Sequence, residues 1–171
     1  MGQLIYSSLL LYKDWKVYLA ATTKGLCFIG MHHSSFEELV QFCNKQFPHC
    51  EIIEDKEKLI PYEKELIEYF EGKRKQFTFS FDINGTAFQK RVWEALCDIP
   101  FGQTKCYSDI AYEIGKPNAV RAVGTAIGAN PVSIAIPCHR VIGKNGTLTG
   151  YSGGLDVKEK LLDHEGIQYK V

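Results

Sequence analysis

The sequence predicts an α+β chain in two parts: a small antiparallel sheet with helices over residues 1–84, then a mostly helical part over residues 85–171. Three observations carry this. Strand-like alternation dominates the first runs of the chain, helical periodicity dominates after residue 85, and Asn84-Gly85 punctuates the chain between them. A length of 171 residues suits one domain or two small ones. With 45% hydrophobic and 23% charged residues, the composition is that of an ordered globular protein rather than a disordered one.

The first part begins with three predicted strands, LIYSSLLLY, WKVYLAA and GLCFIGMHH, separated by Lys13-Asp14 and by Thr23-Lys24-Gly25, which together read as an antiparallel meander. Ser35 and Glu38 have capping-box spacing ahead of the stripe Phe36, Leu39, Val40, Cys43 and Phe47, which Pro48 ends. A second helix is expected after Pro61, with Tyr62, Leu66, Tyr69 and Phe70 on its apolar side. FTFSFDI, residues 77–83, alternates strictly and reads as a further strand.

In the second part, Thr86 and Gln89 cap a helix bearing Phe88, Val92, Trp93 and Leu96, ended by Pro100 and Gly102. Ser108 is the expected cap of DIAYEI, which Gly115 stops, and Asn118 that of AVRAVGTAIG. Two short helices joined by Gly-Lys-Pro-Asn make a helix-turn-helix candidate. At about 100° per residue, Val120, Val123 and Ile127 share one side of the second helix. Arg121, Thr125 and Gly128 lie opposite, so the outward face is one arginine on a nearly smooth surface. A helix reading base edges needs several long polar side chains. This face suits close backbone approach, an arginine inserted in a groove, or packing against a neighbour.

Charge and cysteine content narrow the function classes. Twenty basic and 20 acidic residues cancel, which argues against holding nucleic acid by bulk charge. From Ile114 to Leu155, however, there is no acid, while Lys116, Arg121, Arg140 and Lys144 fall inside. That segment is either a surface facing a polyanion or a Gly- and Ala-rich stretch poor in charge of any sign. The six cysteines have no C-x-x-C spacing, so no disulfide framework and no metal site is expected. The N-terminal segment reads as a first strand rather than a leader, and no apolar run approaches the ~20 residues of a membrane span. A cytoplasmic setting, or a nuclear one in a eukaryote, is expected, with reduced thiols.

The chemistry centres on PVSIAIPCHRVIG, residues 131–143. A buried cysteine is ordinarily inert. Here Pro131 and Pro137 bracket a short strand-like run that delivers Cys138 to a rigid end, His139 and Arg140 follow it, and five glycines trail over residues 143–154. A nearby imidazole activates a thiol, and His139 is the candidate base. Adjacent residues of an extended segment point apart, so a bridging water is the expected link. The last helix, about Asp156 to Glu165, is expected to be capped by Asp156 with Glu159 and stopped by Gly166. It ends on acids where the helix dipole favours bases. Glu165 is therefore the expected partner of His139, completing a Cys-water-His-Glu relay.

PCHRVIG, with NPVSIAI before it and YSGGL after it, resembles the O6-alkylguanine-DNA alkyltransferase family. The likeness runs from TAFQKRVWEAL through IPFGQTKCYSDIA and RAVGTAIGANP to KEKLLDHEG, while the first part matches in layout only. The resemblance implies a ribonuclease H-like layout for the first domain and a winged helix-turn-helix-like second domain. It implies repair without a cofactor, by a monomer that transfers the alkyl group of O6-alkylguanine irreversibly to Cys138, with O4-alkylthymine as a second candidate substrate. Its partner is double-stranded DNA entered through the minor groove, with the damaged nucleotide flipped out.

By the same resemblance, His139 and Glu165 activate the thiol, Tyr107 rotates the base and protonates the leaving guanine, and Asn130 braces the turn. Ser152 lies by the exocyclic oxygen, flanked by Tyr151 and Gly153. The carbonyls of Val141 and Cys138 accept from the guanine amino group. Arg121 fills the vacated place in the stack, on a DNA-binding surface with Ala122, Thr125, Gly128 and Arg140. Ser133 stands where some members have proline and Gly128 where they have arginine, which bear on bulky alkyl groups and on one phosphate contact. Two rival readings are a Cys-His-Glu hydrolase that turns over and a helix-turn-helix sensor of alkylated DNA without chemistry.

Overall fold

The structure is a computed structural model that describes residues 2–170. It divides into two compact units, Met1–Asn84 and Gly85–Val171. Among the described residues, no helix is long and apolar enough to cross a membrane.

Unit 1 is built on β1 (Leu4–Tyr12), β2 (Trp15–Ala21) and β3 (Leu26–Gly30), the expected antiparallel meander. The sheet has one strand more. After α1 (Phe36–Gln46), β4 (Glu51–Glu54) pairs parallel with β1, so the order is β3-β2-β1-β4 and the sheet is mixed. β4 is only EIIE, too short and too polar for its alternation to stand out.

Leu39 and Cys43 of α1 pack with Ile5, Ala20, Cys27 and Phe28 of the sheet. Ser35 accepts from the Glu38 amide, while the Glu38 carboxylate takes the Ser34 hydroxyl, so the capping box is one-sided. α2 (Lys56–Phe70) starts five residues before Pro61. Asp55 caps it, and a proline this close to the first turn removes only one helical hydrogen bond.

FTFSFDI is not a ladder strand. Only Phe81 bridges, to Leu26, and the Thr78 amide and hydroxyl both donate to the Glu65 side chain at 2.7 and 2.5 Å. The alternation instead aligns rings, with Phe77, Phe79 and Phe81 spaced 5.3 and 5.8 Å apart.

Unit 2 holds α3 (Ala87–Cys97), α4 (Tyr107–Glu113), α5 (Val120–Gly128) and α6 (Leu155–His164). Thr86 and Gln89 form the full reciprocal box, and the Trp93 indole donates to the Ala126 carbonyl at 2.9 Å, locking α3 to α5. α4 begins one residue before Ser108, with Cys106 as its cap residue and the Asp109 carboxylate accepting from the Cys106 amide. α5 begins at Val120, with Ala119 rather than Asn118 as its cap residue and no side-chain cap, and α6 begins at Leu155, after Gly154 at φ 99°, with Asp156 already inside the helix. Such a positive φ suits glycine, whose missing Cβ removes the clash.

Between Lys105 and Ile142, a two-rung parallel ladder joins β5 (Lys105–Cys106) to β6 (Val141–Ile142). It ties the residue before α4 to the segment just after Cys138.

Candidate active site

The run VSIAI is a tight turn, not a strand. Asn130 holds it closed from both ends: its amide nitrogen donates to the Ile136 carbonyl at 2.8 Å, and its oxygen accepts from the Val132 amide at 3.0 Å. Inside the turn Ile134 sits at φ 72°, a conformation that costs a β-branched residue about 1–3 kcal/mol. The chain then enters a single 3-10 turn, Cys138–Arg140. Cys138 and His139 are therefore neighbours on a helical turn rather than opposite faces of an extended segment.

Cys138 is 2% exposed and His139 is 0% exposed, yet Cys138 lines a cavity of about 350 Å3. Tyr107, Gly128, Tyr151 and Ser152 line it as well. Gly153 stands beside the Tyr151 ring so closely that a Cβ would meet it at 2.9 Å.

His139 Nε2 and Glu165 Oε2 are 2.6 Å apart. The other ring nitrogen, Nδ1, is buried with no protein partner. Burial pushes the imidazole below its ordinary value, Glu165 pulls it up, and Arg140 and Lys158 push it down again, leaving it lowered. Burial likewise pushes the Cys138 thiol up, against hydrogen bonds from Asn130 and Tyr151 and the charge of Lys158. Both directions keep thiol and imidazole neutral in the free protein at neutral pH.

Arg140, expected on the DNA-binding surface, is buried rather than exposed. Its side chain is buried, with Nε and one terminal nitrogen donating to the two oxygens of Glu165 at 2.9 and 3.1 Å, and the other to the Ile99 carbonyl at 2.7 Å. A guanidinium matches a carboxylate two bonds at a time, and a buried Glu165 needs that neutralisation. The Gly102 amide donates to the same carboxylate at 3.1 Å. The misplaced acid at the helix end is thus the hub of a network linking the segment after α3, the 3-10 turn and the end of α6.

Of the expected DNA-facing set, Arg121, Ala122, Thr125 and Gly128 are all exposed on α5, while Val123, Ala126 and Ile127 are buried. Val120, expected on the apolar side, is exposed at the start of the helix.

Sequence reasoning missed Lys158. Its side chain is 1% exposed, Nζ donates to the Val141 carbonyl at 2.6 Å, and it lies 5.9 Å from the Tyr151 ring centre. Burial lowers its pKa to about 8, while the Cys138 thiol pulls it up. A signal existed: Lys158 falls on the buried face of α6 with Leu161 and Leu162, where a solvated lysine does not belong. The Val141 carbonyl, which the resemblance pairs with the guanine amino group, already accepts from Lys158.

Comparisons with known proteins cover both units. Residues 87–167 match the DNA binding domain of 6-O-methylguanine DNA methyltransferase, and residues 5–83 match its ribonuclease-like domain, so the likeness extends beyond the second part. A methylated-DNA–protein-cysteine methyltransferase of Bacillus subtilis, described as inducible, is 58% identical over 161 residues, 94% of this chain and 90% of its own. One from Methanosarcina barkeri is 53% identical over 66% of this chain and 72% of its own. The crystal structure of Mycobacterium tuberculosis O6-methylguanine methyltransferase superposes with a TM-score of 0.80 at 37% identity, covering 94% of this chain and 92% of that one. Mycobacterium tuberculosis OGT in complex with DNA superposes with 0.78 at 36% identity, covering 95% and 92%.

Proposed function

The chain belongs to the 6-O-methylguanine DNA methyltransferase family, and from that premise we propose how its own residues carry out the reaction. It repairs DNA by transferring an alkyl group to a protein cysteine. The acceptor is Cys138. One observation carries this: its thiol lines a cavity, and the imidazole of the next residue has one nitrogen held by a buried glutamate and the other unpartnered.

The free Nδ1 of His139 suits a water placed between imidazole and thiol. The thiol proton passes through that water to His139, and Glu165 stabilises the resulting imidazolium. Holding the thiol neutral until then protects a nucleophile that acts once. The thiolate attacks the alkyl carbon, the S–C bond forms, the C–O6 bond breaks with its electron pair staying on the purine, and Tyr107 supplies a proton to the leaving base. Asn130 and Tyr151 stabilise the developing thiolate by hydrogen bonds, and Lys158 by charge.

The substrate is O6-alkylguanine in duplex DNA. The target oxygen lies inside the stack, so the nucleotide is flipped out, at a cost of a few kcal/mol that is least for a poorly paired base. We read α4 and α5 as a helix-turn-helix pair that enters the minor groove. Its exposed small residues Ala122, Thr125 and Gly128 allow close approach and Arg121 fills the gap, which suits repair indifferent to sequence. Ser152 and Tyr151, on the cavity wall, meet the flipped base. A monomer in the cytoplasm suffices for this chemistry.

The test is incubation with a duplex carrying O6-methylguanine, followed by intact mass and peptide mapping. One methyl group on Cys138 per molecule is expected. Folded protein that repairs the duplex with no methyl on Cys138 overturns the assignment, and repeated turnover would favour the hydrolase reading instead.

A further inference from the structure

Tyr107 and Thr149 are 42 positions apart in sequence, yet the phenol oxygen and Thr149 Oγ1 stand 2.5 Å apart. Tyr107 opens α4 and lines the cavity over Cys138, its ring beside Gly124, where a Cβ would meet Tyr107 Cδ1 at 3.8 Å. Thr149 precedes Gly150, which lines the same cavity. The Thr149 methyl faces Gly143, so close that a Cβ there would stand 3.4 Å from it. The methyl contact and the phenol together orient the threonine side chain, with its hydroxyl toward Tyr107.

We propose that Thr149 is a positioning residue for the Tyr107 hydroxyl during alkyl transfer. A phenol O–H swings freely about its C–O bond and its oxygen both donates and accepts. When the threonine hydroxyl donates to the phenol oxygen, the phenol hydrogen is left to point elsewhere, and the cavity is the side on which a base arrives. Once Tyr107 has passed its proton to the purine, the same threonine donor faces a phenolate. Hydrogen bonds to a charged oxygen are about twice as strong as neutral ones. Thr149 therefore stabilises the product side of the proton transfer more than the reactant side, which is the condition for accelerating it. No proton is lost in the step: the purine gains the one Tyr107 gives, and Thr149 keeps its own.

This inference rests on the reading of Tyr107 as proton donor. The experiment is single-turnover methyl transfer from an O6-methylguanine duplex at a range of protein concentrations, with Tyr107→Phe, Thr149→Val, Thr149→Ser and the double variant Tyr107→Phe/Thr149→Val. Thr149→Val keeps the shape and loses the hydroxyl. It is expected to lower the limiting rate about tenfold without changing the half-saturating concentration, the size expected for one hydrogen bond to a developing charge. Thr149→Ser is expected to restore most of that rate, and the double variant to be no slower than Tyr107→Phe alone. A parent rate in Thr149→Val, equal losses in the Val and Ser variants, or losses that multiply in the double variant would each overturn the role of Thr149. A parent rate in Tyr107→Phe would overturn the proton-donor reading itself, so the two failures are distinguishable.

Discussion

Glu63 in unit 1 and Glu165 in unit 2 are 5% and 6% exposed, and both are hydrogen-bonded, but they are built for different work. Glu63 accepts from the Ser8 hydroxyl at 2.6 Å and from Lys56 at 2.8 Å, and the lysine side chain is 64% exposed. Its charge is balanced through water, and the contact ties α2 to β1. Glu165 instead meets Arg140, itself 6% exposed in its side chain, and an imidazole that is 0% exposed. The same contrast holds for the thiols. The hydrogen bond with Cys43, together with burial, pushes the Cys27 thiol up in the core of unit 1. Cys138, equally buried, lines a cavity and is followed in the chain by a histidine with one unpartnered ring nitrogen. Burial alone distinguishes neither acid nor thiol; what the group is buried among does.

The comparison is broken most directly at the thiols. Cys138→Ser is expected to abolish methyl transfer, while Cys43→Ala retains one methyl per folded molecule; loss of transfer in folded Cys43→Ala would erase the distinction. At the carboxylates, Arg140→Ala should cost about 3–5 kcal/mol, because it leaves Glu165 charged and buried, whereas Lys56→Ala should cost about 1 kcal/mol or less. Urea unfolding reads both, with Trp93 reporting on unit 2 and Trp15 on unit 1.

Lys158→Met removes the cation acting on Cys138, and the transfer rate at pH 7 should fall roughly tenfold, equivalent to about 1.4 kcal/mol. The parent rate should in turn decline as pH rises through about 8, where Lys158 loses its charge.

A smaller effect concerns His139, whose pKa is lowered by burial. Below the ordinary imidazole value of about 6.5 the unfolded chain binds a proton that the folded chain refuses, so stability should fall as pH drops from about 7 to 5. His139→Gln should flatten that dependence in urea titrations. Smallest is the capping contrast: Thr86→Ala, at a reciprocal box, should cost about 1 kcal/mol, and Ser35→Ala, at a one-sided cap, less.

Much of this was legible from residues close together in the chain. The three meander strands, the Thr86–Gln89 box and the smooth exposed face of α5 follow from local periodicity and capping. So does the suspicion attached to Glu165, an acid at the wrong helix end. β4 was not legible, because a four-residue strand is specified by its partner β1 rather than by its own pattern. FTFSFDI misled for the converse reason: its alternation is real, but only Ser80 and Asp82 bond to β3, both at Leu26, while Glu65 takes the Thr78 amide. VSIAI misled because Asn130 closes it into a turn through two bonds that no propensity encodes. Arg140 looked like a surface cation because charge type was visible and burial was not.

By itself the sequence determined the division at Asn84-Gly85 and the family, and it singled out Cys138, His139 and Glu165 as the proposed nucleophile and relay. Each of these depends on residue identity at short spacing or on the ordered series of motifs along the chain. Only the tertiary structure decided that Arg140 neutralises Glu165, that Lys158 is turned inward toward Cys138, and that Thr149 meets Tyr107. These are contacts across 17 to 42 positions, and for Arg140 and Thr149 the local surroundings are compatible with facing water. Which way such a side chain turns is set by what the rest of the fold leaves unpaired in the interior, and a buried carboxylate, carbonyl or phenol becomes a partner only once the chain has closed around it.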